Sequence, residues 1–208
     1  MSIEAWLAFV AASTVLVMIP GPTVLLVVSY ALGQGWRAAL PTSIGVALGD
    51  FTAVTLSLLG VGALLATSAT LFTVLKLAGA AYLVWLGIKL WKAGGTLQTE
   101  ARTDRASSLA MVAHAWIVTA LNPKGITFFV AFMPQFIDPK GDVLRQMIIL
   151  GATFLVIAFA NALTYGFLAA RAGAMARNPS AISLFNKIGG SLLIGAGVAA
   201  ATVRTASN

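Results

Sequence analysis

The chain contains no cysteine and a single histidine in 208 residues. The first absence removes disulfides, thiolate metal sites and thiol redox chemistry together, and His114 alone builds no metal site, so neither a metal nor a redox cofactor is expected. Charge is equally scarce, at 9% of residues against roughly 25% in soluble domains. Only 6 residues are Asp or Glu, and the 13 Lys and Arg stand singly between apolar runs. A phosphate track needs basic clusters, so the net charge of +7 does not point to nucleic acid.

What is present is apolar: 59% of residues are hydrophobic and the mean hydropathy is +0.94. The expected partner is the lipid bilayer. About 20 apolar residues cross it as a helix, more when tilted or broken. Segments near Ile3 to Leu32, Ala38 to Leu65, Leu71 to Trp91, Leu109 to Phe136, Ile148 to Ala170 and Ile182 to Val203 meet that length. The expected fold is an all-α membrane protein of six transmembrane helices, one transporter-like domain over 1–208. Gly33-Gln34-Gly35, Pro41 and Asn178-Pro179-Ser180 punctuate the segment ends. The longest polar stretch, Lys92 to Ser108, separates a first group of three spans (1–91) from a second (109–208).

The N-terminus carries Glu4 where a signal peptide has its positive region, and its apolar run is long for one, so it reads as a mature span. Lys and Arg gather after spans one, three and five (Arg37, Lys89, Lys92, Arg102, Arg105, Arg171, Arg177), against Lys140, Arg145 and Arg204 on the other side. The positive-inside rule makes the first side cytoplasmic and turns both termini outward. A five-span arrangement with opposed termini stays open where one segment does not cross.

Within the first span, Met18-Ile19-Pro20-Gly21-Pro22 stops a helix. Pro20 and Pro22 free the carbonyls of Leu16 and Met18 from helical bonding, and Gly21 permits backbone angles other residues avoid. In a bilayer such freed groups are tolerated only where protein or an internal cavity satisfies them, which makes the break a candidate site. Asn122-Pro123-Lys124 interrupts the fourth span in the same way. Three spans followed by three more place the second group in the opposite orientation, the arrangement of inverted repeats. An offset of 111 aligns Lys76-Leu77-Ala78-Gly79 with Lys187-Ile188-Gly189-Gly190, and Asp50 with Asn161. The expectation is two inverted three-helix repeats, with helices one and four broken.

Asp50 lies near the middle of span two, where an ionisable group is expensive and usually functional. Such a carboxylate can change protonation state as its surroundings change, as proton coupling requires, or it can simply lock two helices. Lys124 can pair with Asp50, hold a substrate carboxylate or reach an interface along its own helix. Asn161 can bind ligand or tie helices. Gly45 and Gly49 form a small-xxx-small face for close helix approach. Lys76 and Lys187 read as lysines whose stems are buried and whose ammonium groups reach the interface. Tyr82, Trp85 and Gln135 are weaker candidates, and His114 reads as interfacial. The half-helices that begin near Thr23 and Gly125 offer positive dipole ends to a carboxylate, while the carbonyls of Leu16, Met18 and Thr119 suit an ammonium. One zwitterion satisfies both. The candidate substrate site is Pro20, Gly21, Pro22, Thr23, Asp50, Asn122, Pro123, Lys124 and Asn161.

Pro20-Gly21-Pro22, Gly45 with Gly49-Asp50, Lys76-x-x-Gly79-Ala80-x-Tyr82-Leu83-x-x-Leu86-Gly87, Leu121-Asn122-Pro123-Lys124 and Pro134-Gln135-Phe136, in that order, resemble the LysE/RhtB family of bacterial amino-acid exporters nearly end to end. The resemblance implies a non-enzymatic inner-membrane permease of about six spans, driven by the proton gradient. Its substrates would be amino acids or derivatives, such as homoserine, threonine, lysine, arginine, leucine or cysteine-pathway metabolites. A homo-oligomer is compatible with it. The competing readings are a permease or channel for a small inorganic ion, thinly supported by one deep carboxylate, and a membrane oxidoreductase, disfavoured by the missing cysteine.

Overall fold

The computed structural model describes residues 1–67, 106–138 and 140–172, and single positions between 74 and 92 and between 180 and 198. Among them every regular element is helical: α1 (Ile3–Met18), α2 (Pro22–Gln34), α3 (Ala39–Thr67), α4 (Ser108–Ala120), α5 (Pro123–Thr127) and α6 (Val143–Ala172). These cover the first, second, fourth and fifth expected spans. The third and sixth segments, the link through Arg102 and Arg105, Lys76 and Tyr82 lie outside the described residues apart from scattered helical positions. Two of those positions meet, the Lys187 ammonium lying 5.7 Å from the centre of the Trp91 ring.

Both expected interruptions are present, and proline sets their shape. Each break ends with a proline in the first position of the next helix, where its missing N–H is not needed. The residues before the prolines are extended, as the ring demands: Ile19 at ψ 120°, Gly21 at −173° and Asn122 at 112°. The angles expected of Gly21 are corrected here, because φ −127° is open to any residue. Its small size is what matters: a methyl group there would lie 3.4 Å from the Lys124 ammonium nitrogen. A left-handed glycine is found instead at Gly35, φ 73°, which ends α2.

Gly35 reverses the chain. Val27 and Ala39 would stand about 18 Å apart in one straight helix, yet both face Gly166 of α6, where an added methyl would be 3.5 Å from a Val27 methyl and 2.8 Å from Ala39 Cβ. Thus the apolar stretch Pro22–Gly60, 39 residues long, is a half-span and a full span folded back to back. Helix α4 then runs parallel to α3. Gly45 abuts Val112 and Ala115, and Gly49 abuts Thr119 and Trp116, so the small-residue face serves close helix approach as expected. The broken pair α1–α2 and the broken pair α4–α5, bent by 44°, therefore run in opposite directions.

Past α5 the backbone widens into a π turn, Phe128–Phe132, and tightens into a 3-10 turn, Met133–Phe136. Pro134 accounts for it, since its ring clashes with a carbonyl four residues back. Helix α6 begins five residues before the expected Ile148 because Asp142 caps it, accepting from the Arg145 N–H at 3.0 Å.

The end of the bundle that holds the α1 N-terminus and the 137–142 loop is filled by Phe9, Phe128, Phe129, Phe132, Phe136 and Phe154. Their ring centres stand 4.7 to 6.0 Å from their neighbours. The Gly35 end is packed with smaller side chains, Val27, Ala38, Val46, Ala115 and Ala162 among them.

Candidate functional site

The two breaks meet. From the fourth span, Asn122 donates its amide to the Thr23 hydroxyl at 3.1 Å, and Thr119 donates to the same oxygen at 3.2 Å. Lys124 crosses to the first break and donates to the main-chain carbonyls of Leu16 (3.0 Å) and Ile19 (2.9 Å). Two side chains of α6 take the carbonyls between: Asn161 donates to Val17 at 3.0 Å and Tyr165 to Met18 at 2.7 Å. Carbonyls that proline leaves without helical partners are thus each reached by a donor from another helix, as an apolar surrounding requires.

Beside these contacts lies a cavity of about 40 Å³, lined by Thr23, Asp50, Asn122, Lys124 and Asn161 with Leu16, Val24, Val27, Val46 and Phe154 among its apolar walls. Asp50, 7% exposed, reaches it from the middle of α3. Its coulombic partner is Lys124. A polar space of that size has room for water.

The two half-helix starts are not equivalent. Asn122 caps α5, its side-chain oxygen accepting from the Lys124 N–H at 3.1 Å. At the start of α2 no side chain caps the backbone, and Thr23 and Val24 there line the cavity. The carbonyls expected to be open to a ligand ammonium are already occupied, Leu16 by Lys124, Met18 by Tyr165, and Thr119 by the Asn122 N–H at 3.0 Å. Of the sequence candidates, Thr23, Asp50, Asn122, Lys124 and Asn161 line the cavity. Pro20, Gly21, Pro22 and Pro123 shape the breaks beside it.

The hydroxyls of Tyr165 and Thr119 were missed. Tyr165 had a signal, since it stands one turn after Asn161 on the same face of an apolar helix. Ser13, one turn before Leu16, was also missed, and it holds the one buried side-chain polar atom without a partner among the described residues. His114 is half-buried, and its Nδ1 lies 3.1 Å from the hydroxyl of the buried Tyr30. Gln135 is half-buried and Trp85 is 53% exposed.

Interrupted apolar helices, with charged and amide side chains gathered where the interruptions meet, define an α-helical membrane protein. More particularly, the chain belongs to the LysE type translocator family, whose model matches residues 14–204. It is 37% identical over 204 residues to an uncharacterized membrane protein of Vibrio cholerae, covering 98% of this chain and 100% of that one. A homoserine/homoserine lactone efflux protein of Salmonella typhimurium is 34% identical over 206 residues, 99% of this chain and 100% of its own. A leucine efflux protein of the same organism is 34% identical over 148 residues, 69% of each chain. No solved structure matches the chain.

Proposed function

We propose that this protein is a secondary transporter of the bacterial inner membrane that exports an amino acid or amino-acid derivative of the homoserine and leucine kind. The observation that carries the reading is the junction of two oppositely running broken helices around a cavity that holds Asp50. A substrate carboxylate would sit at the uncapped start of α2, where free N–H groups and the helix dipole favour an anion. Its ammonium would face Asp50 and the carbonyl ends of α1. The family's relatives, named for homoserine and leucine efflux, support this class of cargo.

The cavity of about 40 Å³ is small for a homoserine molecule, so a transport cycle would have to widen it. Transport would open the cavity to each side in turn, with Asp50 taking up a proton from one side and losing it to the other. The opposed directions of the two broken helices support six spans in two inverted repeats, the third and sixth completing them. The Gly35 end, carrying Arg37 and Arg171, would face the cytoplasm.

The test is purified protein in liposomes. An imposed pH gradient should drive movement of radiolabelled homoserine or leucine, and Asp50→Asn protein that is folded should lose the dependence on the gradient. Failure of both amino acids, with flux of an inorganic ion instead, would overturn the reading; unchanged coupling in Asp50→Asn would remove Asp50 from it.

A further inference from the structure

The first break is closed by a charge of its own. The α1 carbonyls of Leu16 and Ile19 converge on one ammonium nitrogen at 3.0 and 2.9 Å, and that nitrogen belongs to Lys124, which reaches across from the other break. Gly21 leaves the space, its Cα side lying where a methyl would come within 3.4 Å of the nitrogen and 3.5 Å of Lys124 Cε. Two carbonyl oxygens with one N–H left toward a cavity form a receptor for a primary ammonium, and the negative end of α1 adds to it. The cavity contains the remaining parts of a zwitterion site: Asp50, and an uncapped helix start at Thr23.

We propose that Lys124 is a tethered occupant of the position taken by the substrate's ammonium, held there while the carrier is empty and displaced when substrate arrives. This rests on the export reading and assigns a chemical class within it: cargo must bring a primary ammonium able to donate to both carbonyls. The displaced Lys124 ammonium then faces Asp50 and the incoming carboxylate across the cavity. In the empty carrier the tether keeps the carbonyls satisfied, so the closed state needs no bound solute. Substrate binding replaces one ammonium by another at the carbonyls, which leaves those hydrogen bonds intact while it frees a charge to move. A quaternary ammonium, lacking N–H, cannot make the exchange.

The test removes the tether and supplies it loose. Lys124→Ala lacks the atoms of propylammonium, so propylammonium chloride at high concentration should raise the melting temperature of the Ala variant by roughly 3 °C over the same concentration of sodium chloride. Propan-1-ol and tetramethylammonium should not. Wild-type protein, its position already filled at high effective concentration, should show no amine-specific shift. Lys124→Ser serves as a second variant with the same expectation, and an amine that lets an otherwise poorly accumulating variant be purified counts equally in favour. The proposal is overturned if wild type responds to propylammonium as strongly as the variants, or if tetramethylammonium matches it. It is overturned too if neither variant responds to the amine in yield or in melting temperature. These readouts involve no transport, so they can fail while liposome export succeeds, and the reverse.

Discussion

Around Asn122 the backbone closes on itself. Its N–H returns to Thr119, Leu121 returns to Ile117, and its side chain caps Lys124, all within the same few residues. Around Pro20 the local closures are the Ile19 N–H to Leu16 at 3.3 Å and the Leu25 N–H to Gly21 at 2.9 Å. The remaining carbonyls depend on Lys124, Asn161 and Tyr165 from two other spans, and α2 starts without a cap. Two interruptions of similar sequence thus differ in what holds them. A break sealed by its own residues travels as one piece with its helix, whereas one sealed by remote donors is released when those donors leave. The 121–123 break is held largely from within its own span, and the 19–22 break largely by side chains of two other spans.

Substitutions at each break can break or sharpen that contrast. The largest effect is expected for Lys124→Met, which strands the Ile19 carbonyl, leaves Leu16 only the long bond from the Ile19 N–H and should lower stability by about 3 kcal/mol in thermal unfolding; a loss no greater than that of Asn122→Ala would erase the asymmetry. Next comes pressure on the 121–123 break from behind. Gly49→Ala sets a methyl against Thr119 and Trp116 and should cost about 2 kcal/mol, while Gly60→Ala, on the same helix with nothing among the described residues within 4 Å, should be neutral or stabilising. Equal effects of the two would show that α4 is not seated as described. Asn122→Ala loses the cap and the Thr23 contact, about 1.5 kcal/mol, and Asn122→Asp should recover most of the cap. The smallest is Tyr165→Phe, which frees the Met18 carbonyl near a partly exposed position and should cost about 1 kcal/mol. A Tyr165→Phe protein as stable as wild type would mean that water takes over at Met18.

The break positions were legible because they follow from a local rule: proline has no N–H and restrains the residue before it. Asp50 was legible because a carboxylate in an apolar span has few innocent explanations. The destination of Lys124 was not. A long flexible side chain reaches several helices, and only the register of α1 against α5, a tertiary fact, selects the carbonyls of Leu16 and Ile19. Gly21 was read for conformation when its role is space, since sequence cannot distinguish a glycine that needs positive φ from one that a neighbour crowds. The two helix starts differ at the N-cap itself, where Asn122 carries a side-chain acceptor and Gly21 has none. In the fold Asn122 caps its own helix and Thr23 accepts from the neighbour.

The phenylalanine-filled end of the bundle bears on the movement of protons. Phe9, Phe128, Phe129, Phe132, Phe136 and Phe154 bring no hydrogen-bonding side-chain atom to the space between the central cavity and the 137–142 loop. A file of water cannot run continuously through packed phenyl rings, and without such a file a proton has no relay to hop along. Among the described residues, that end of the bundle is therefore the part least able to pass a proton.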